Sequence, residues 1–141
     1  MITIEVRGLP APQGSKRHVG HGIMVESSKA VGPWREAVRA ETYKAVSDGG
    51  FQGPVHVDIT LYLTRPRGHY GTGRNAERLR DSAPTWPSGR PDVDKLARAV
   101  LDGLTAGGAW RDDAQVAVLI ARKIYGWQPG CRIEIRELEE S

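Results

Sequence analysis

The residues of this chain best suited to chemistry are acidic, and they come in two close pairs. The first lies in Arg90-Pro91-Asp92-Val93-Asp94-Lys95 and the second is Asp112-Asp113. Pro91 drives Arg90 out of the α region and keeps the backbone extended into Asp92. In extended chain, residues two apart project to the same side, so Asp92 and Asp94 can converge if a helix begins at or just after Asp92. On a regular helix the same pair would diverge by about 200°, so the chemistry depends on that junction. If Asp113 joined them, three carboxylates at one point would repel one another unless a hard divalent cation neutralised them, and Mg²⁺ takes oxygen ligands while retaining water. A strand returning after a helix starts near the helix C-terminus, so spacing alone does not bring Asp113 to Asp92. A plainer alternative stays open, in which Asp92 is an N-cap and Asp94 a first-turn acid favoured by the helix dipole.

Other chemistries find little support. The histidines at 18, 21, 56 and 69 lack zinc-site spacing, and no serine sits in a nucleophile setting. The single cysteine, Cys131, cannot close an intramolecular disulfide, and it falls on the apolar phase of a strand, where it reads as core.

The elements that must position the acids are legible as periodicities. Ile2, Ile4 and Val6 alternate with Thr3, Glu5 and Arg7 as a first strand, and Val55 to Leu63 alternates most cleanly of all, as a central strand. His18 to Glu26, with Gly20 and Gly22, predicts a hairpin. Val31, Trp34, Val38 and Ala45 predict a helix from Ser28 to about Val46, with Pro33 tolerated in its first turn. Leu96, Val100 and Leu104 predict a second helix over 92–105, stopped by Ala106-Gly107-Gly108. Val116 to Tyr125 and Cys131 to Arg136, joined through Gln128-Pro129-Gly130, read as a closing antiparallel hairpin. The expected architecture is α+β: one domain over 1–141, a mixed or antiparallel sheet packed with two main helices.

The chain has 141 residues, 39% hydrophobic and 26% charged, and no apolar run approaches the ~20 residues of a membrane span. The alternating N-terminus is unlike a signal peptide, so a cytoplasmic location is expected. Net charge is +3, but the distribution is uneven. The 65–91 segment is a long basic loop, rich in proline and glycine, carrying Arg65, Arg67, Arg74, Arg78, Arg80 and Arg90 against Glu77 and Asp81. With Lys16 and Arg17 these arginines are candidates for phosphate contacts, or alternatively a solvated basic loop. Trp86 could stack on an unpaired base or wedge into a branch point, with packing as the alternative; Trp34, Trp110 and Trp127 are assigned to packing.

Arg90-Pro91-Asp92-Val93-Asp94, Leu101-Asp102-Gly103-Leu104 and Trp110-Arg111-Asp112-Asp113-Ala114-Gln115-Val116 together resemble the RusA-type Holliday-junction resolvases. That family's pattern is a basic residue, Pro-Asp-x-Asp-Asn-Leu, a lysine, Leu-Asp-x-Leu, then Asp-Asp-x-Gln-Val. The resemblance implies that Asp92, Asp94 and Asp113 are catalytic metal ligands for Mg²⁺, with Mn²⁺ as a substitute, and leaves Asp102 and Asp112 without a defined role. It implies a homodimer that resolves four-way DNA junctions by paired symmetric nicks in recombination and repair. Two positions depart from the pattern: Lys95 stands where asparagine is usual, and Arg98 where the family has its lysine. Arg98 either stabilises the phosphate or pairs along the helix surface with Asp94 and Asp102, and Lys95 could supply the missing ammonium. Two rival functions remain: a catalytically silent module that binds branched DNA, and a metal-dependent nuclease for other DNA structures.

Overall fold

The computed structural model describes residues 1–13, 16–18, 24–26 and 29–139. In chain order its elements are β1 (Ile2–Arg7), β2 (Lys16–His18), β3 (Met24–Glu26), α1 (Val31–Ala45), β4 (Val55–Leu63), α2 (Val93–Ala106), β5 (Val116–Tyr125) and β6 (Gly130–Glu137). Short 3-10 turns cover Arg67–His69, Gly73–Asn75 and Asp113–Gln115.

Alternation decides the sheet. Its strand order is β1-β6-β4-β5, with β6 antiparallel to both neighbours and β4 parallel to β5. Ile133 lies opposite both Ile4 and Ile59, so the apolar phases of three strands coincide on one face. Those side chains are 0–2% exposed and form the core with α1 and α2. The opposite face is polar: Arg122 bonds Asp58 at 2.8 Å and Thr60 at 2.7 Å across β4 and β5. An apolar face covered by helices and a polar face open to water is the arrangement such a sheet requires. β2 and β3 pair antiparallel, as expected of the 18–26 hairpin.

The closing hairpin is not formed. β5 pairs only with β4, and β6 is inserted between β4 and β1. Residues 126–129 therefore cross the end of β4, where the Gly126 amide donates to Leu63 carbonyl oxygen at 2.9 Å. A turn sequence reports reversal of direction but not which edge the returning strand joins. Here Cys131, Ile133 and Ile135 gain buried neighbours on both sides by entering the sheet between β1 and β4.

α2 carries its apolar stripe, Leu96, Ala97, Val100 and Leu104, into the core, and α1 presses against it closely. A Cβ on Gly103 would stand 2.7 Å from Val38 Cβ and 3.0 Å from the Arg35 carbonyl oxygen, and one on Gly107 would stand 2.6 Å from Thr42 Cβ. The two glycines, four residues apart on one helix face, let the backbones approach. Thr42 is wholly buried there, and its hydroxyl donates to the Val38 carbonyl at 2.7 Å, so no polar group is stranded.

Candidate metal centre and nucleic-acid surface

The helix begins just after Asp92, which was the condition set for convergence of the first acidic pair. Asp92 is extended, with φ −71° and ψ 139°, and Val93 is the first helical residue. The Arg90–Pro91 peptide is cis. Asp92 occupies the N-cap position, yet its carboxylate accepts no hydrogen bond from the first turn, so the capping alternative loses its usual stabilisation. The group nearest to it is Lys95, whose Nζ lies 3.5 Å from Asp92 Oδ2. Asp92 and Asp94 are both exposed, and as next-but-one neighbours their Cα atoms lie about 5–7 Å apart.

Two contacts fix this junction to the rest of the fold. Lys123 of β5 donates from Nζ to the Gly89 and Pro91 carbonyls at 2.5 and 2.8 Å, holding the chain that enters Asp92. The Gln13 amide donates to the Lys95 carbonyl at 3.0 Å, and Arg35 holds the Gln13 side chain at 3.0 Å. The segment leading towards Lys16 and Arg17 is thus tethered beside the first turn of α2; the side chains of Lys16 and Arg17 themselves lie outside the described residues.

Asp113 is at the other end of the helix. It lines a cleft of about 650 Å³ together with Asp102, Thr105, Ala106, Arg111 and Asp112, and with Arg35, Glu36 and Arg39 of α1. In that cleft Arg39 grips Glu36 through two bonds of 2.7 and 2.8 Å, which lowers the Glu36 carboxyl below its ordinary range. With 14 residues and ~1.5 Å of rise per residue, α2 separates Asp113 from Asp92 and Asp94 by about 15–20 Å. Mg²⁺ binds oxygen at about 2.1 Å, so within one chain a single ion does not touch both. Among the described residues no three His, Cys, Asp or Glu side chains form a group able to hold a metal.

The structure separates the roles of the adjacent acids. Asp112 Oδ1 accepts from the Ala114 amide at 2.8 Å, and Gln115 Oε1 accepts from the Asp112 amide at 3.4 Å, forming a capping box, and also from the Arg111 amide at 3.0 Å. Gln115 Nε2 then donates to the Phe51 and Gly53 carbonyls at 2.9 and 3.0 Å. Asp112 and Gln115 thereby build the turn that presents Asp113, whose exposed carboxylate has no hydrogen bond or ion pair among the described residues. The same holds for Asp94 and for Arg98, which makes none of the surface ion pairs that its spacing from Asp94 and Asp102 offered.

The 65–91 segment is folded on itself. Tyr70 and Leu79 form an isolated antiparallel bridge, and the Gly71 amide donates to the Arg78 carbonyl at 2.9 Å. Arg65 and Arg80 are spent on this scaffold, donating to the carbonyls of Pro84 at 2.6 Å and Tyr70 at 2.7 Å. Arg65 also lies over the Tyr125 ring, 4.2 Å from its centroid. Arg67, Arg74, Arg78 and Arg90 are exposed and form no salt bridge among the described residues, which leaves them available to phosphate.

Trp34 and Trp110 are buried as expected, and Trp86 is 62% exposed. Trp127 is not packing: it is 88% exposed. It belongs to the crossing connection instead of a strand, so its side chain projects past the sheet end, where it borders a cleft of about 500 Å³ with Arg65, Tyr70, Arg78 and Tyr125. Its setting between Gly126 and Gln128-Pro129-Gly130 was the signal available in sequence, since turn residues on both sides argue against a buried strand position.

A family model described as endodeoxyribonuclease RusA matches residues 6–136. No curated protein matches the chain. The match runs from the last two residues of β1 into β6 and includes both acidic pairs. No helix among the described residues is long and apolar enough to cross a membrane.

Proposed function

The chain belongs to the RusA endodeoxyribonuclease family, and from that premise we propose that it resolves four-way DNA junctions as a Mg²⁺-dependent homodimer, in recombination and repair, with Asp92, Asp94 and Asp113 as its metal ligands. The observation that carries this reading is the state of those three carboxylates. Each is exposed; Asp94 and Asp113 make no hydrogen bond or ion pair among the described residues, Asp92 meets the Lys95 ammonium at 3.5 Å, and the neighbouring Asp112 and Gln115 serve as scaffold. Exposed carboxylate oxygens are the donors that Mg²⁺, or Mn²⁺ in its place, prefers.

Because Asp113 lies at the far end of α2 from Asp92 and Asp94, a complete set of ligands requires a second copy of the chain. In a two-fold dimer with the two α2 helices running antiparallel, Asp113 of each subunit comes to Asp92 and Asp94 of the other, producing two equivalent sites. Two symmetric sites meet two symmetric phosphodiesters, which accounts for paired nicks in strands of like polarity.

A divalent cation bound by these carboxylates would supply Lewis-acid stabilisation of the phosphate and an activated water. The chain's own residues do the rest. Asp92 and Asp94, fixed by the Lys123 anchor, hold one side of the site, and Asp113 closes it. Lys95, beside Asp92, brings an ammonium to the scissile phosphate where the family pattern has its lysine one turn further on. Arg98, free of intrahelical pairs, adds a second positive charge that neutralises phosphate without exchanging protons. Arg67, Arg74, Arg78 and Arg90, with Lys16 and Arg17, bind the flanking backbone, and Trp86 and Trp127 offer stacking surfaces at the branch point.

The test is cleavage of a labelled synthetic four-way junction with and without Mg²⁺, beside linear duplex and flap substrates, for the wild type and Asp92→Asn. Symmetric Mg²⁺-dependent nicks confined to the junction are expected, with loss of at least about 100-fold in the variant, because removing a ligand charge removes electrostatic stabilisation of the transition state. Junction binding without cleavage would make the protein a silent binding module. Equal cutting of all substrates would remove the junction specificity, and full activity of Asp92→Asn would remove the metal assignment.

A further inference from the structure

The connection that carries β6 across the end of β4 is pinned on both sides of Trp127. The Gly126 amide donates to the Leu63 carbonyl at 2.9 Å, and the Gly8 amide donates to the Pro129 carbonyl at 3.3 Å. A Cβ on Gly126 would stand 3.3 Å from Tyr62 Cβ, so this backbone also lies close against β4. The indole on that fixed support is nevertheless 88% exposed. A single bare apolar side chain calls for no explanation, but Trp127 shares its cleft of about 500 Å³ with Leu79, itself 49% exposed, and with Tyr70 and Tyr125. Tyr70 and Leu79 face each other in the isolated bridge, so that wall is held as well. Two arginines complete the lining. Arg65 lies 4.2 Å from the Tyr125 ring centroid and donates to the Pro84 carbonyl at 2.6 Å, which fixes the plane of its guanidinium. Arg78 is exposed, and Glu77 is the one acid lining the cleft among the described residues.

We propose that this cleft takes one unpaired nucleobase of a DNA strand, stacked on the Trp127 indole and the Arg65 plane, with Arg78 on its phosphate. The proposal rests on the reading that the chain acts on branched DNA, and deepens it. Composition defines the chemistry of the ligand. Aromatic faces and guanidinium planes hold an unstacked base, and the excess of arginine over carboxylate in the lining selects an anion. A base stacked within a duplex presents no open face, so the cleft admits an unpaired one. Position defines where on the strand that base lies. Tyr125 stands two residues beyond Lys123 on the same face of β5, a distance of about 6.6 Å, or about two base steps. Lys123 is the side chain that holds the Gly89 and Pro91 carbonyls at the entry to Asp92. Tyr125 also borders a second cleft, of about 330 Å³, with Arg90 and Pro91. The two clefts meet at Tyr125 and together run from the residues before Asp92 to Trp127. A strand whose phosphate lies against Asp92 and Asp94 therefore has its next bases within reach of the indole.

The experiment measures binding in EDTA, so that no cleavage intervenes. Three labelled duplexes are compared that differ at a single position, carrying an unpaired thymidine, an unpaired abasic residue or no bulge. The wild type is expected to bind the thymidine bulge at least about 5-fold more tightly than either of the others, the lower end of what stacking one base supplies. Trp127→Ala is expected to bind all three alike, and Trp127→Phe, which keeps a ring, to retain part of the preference. Tyr43→Ala, which removes another exposed ring from α1, is expected to retain all of it. A wild type without preference for the thymidine bulge, or a Trp127→Ala protein that keeps the preference, overturns the proposal. Cleavage of a four-way junction with Mg²⁺, measured alongside, separates this proposal from the reading beneath it. Preference without junction cleavage leaves the cleft standing and removes the resolvase activity, whereas junction cleavage without preference removes the cleft alone.

Discussion

Around α2 the chain has five aspartates, and what distinguishes them is how each is engaged. Asp112 is held in a capping box, and Asp102 lines the cleft at the C-terminal end of the helix. Asp92, Asp94 and Asp113 remain open to solvent, with Lys95 3.5 Å from Asp92 as the one close charge. At the same scale, Cys131 shows how burial acts on a titrating group. Desolvation pushes its thiol well above the ordinary range. The folded state therefore keeps its proton when the unfolded chain, with a thiol near pKa 8.5, has lost it. More protons are bound in the folded state above that pH, so stability falls as pH rises. The loss grows with each step of pH above the unfolded thiol's range, until the raised folded pKa is reached. Chemical denaturation at pH 7.5 and pH 10 should show this loss in the wild type and not in Cys131→Val. Equal losses in the two proteins would mean that the thiol stays accessible. The buried place of Cys131 was legible from strand alternation alone. The division of labour between Asp112 and Asp113 was not, because it depends on hydrogen bonds from Gln115 to Phe51 and Gly53, more than sixty residues away in sequence.

At the scale of elements, the contact between α1 and α2 sets where both ends of the site lie. Gly103 and Gly107 permit that contact, and Gly103→Ala forces its new methyl against Val38 and the Arg35 carbonyl. A cost of about 1–3 kcal/mol is expected, read as a lower denaturation midpoint at unchanged slope. A variant as stable as the wild type would show that the helices are not in close contact there. The elements themselves were readable: β1, β4 and α2 follow their periodicities within a residue or two. Pairing was not. β5 has the composition of a buried central strand and lies at an edge, and β6 has a turn before it suited to a hairpin yet joins a different neighbour. Period-two alternation reports which face a residue occupies, but not which strand lies beside it. The exposure of Trp127 was legible in the turn residues on either side of it, although the crossing connection that carries it was not.

For the whole molecule, Asp92 and Asp94 stand at the start of α2 and Asp113 beyond its end. The RusA family match and the exposed carboxylates support the proposed metal nuclease, and with the proposed ligands the length of α2 calls for two chains per site. The sequence contained the three proposed ligands and their order, but the proposal of a second chain arises only when about 15–20 Å of helix stands between them. The most direct measurement is subunit mixing. Asp92→Asn and Asp113→Asn proteins, each inactive alone, are unfolded together, refolded and assayed on a four-way junction with Mg²⁺. In a heterodimer one site carries both substitutions and the other carries neither, so nicking should return to about one quarter of the wild-type rate, half the dimers having one intact site of two. A mixture as inactive as its components would contradict the account, because it would mean that each site is built from one chain alone.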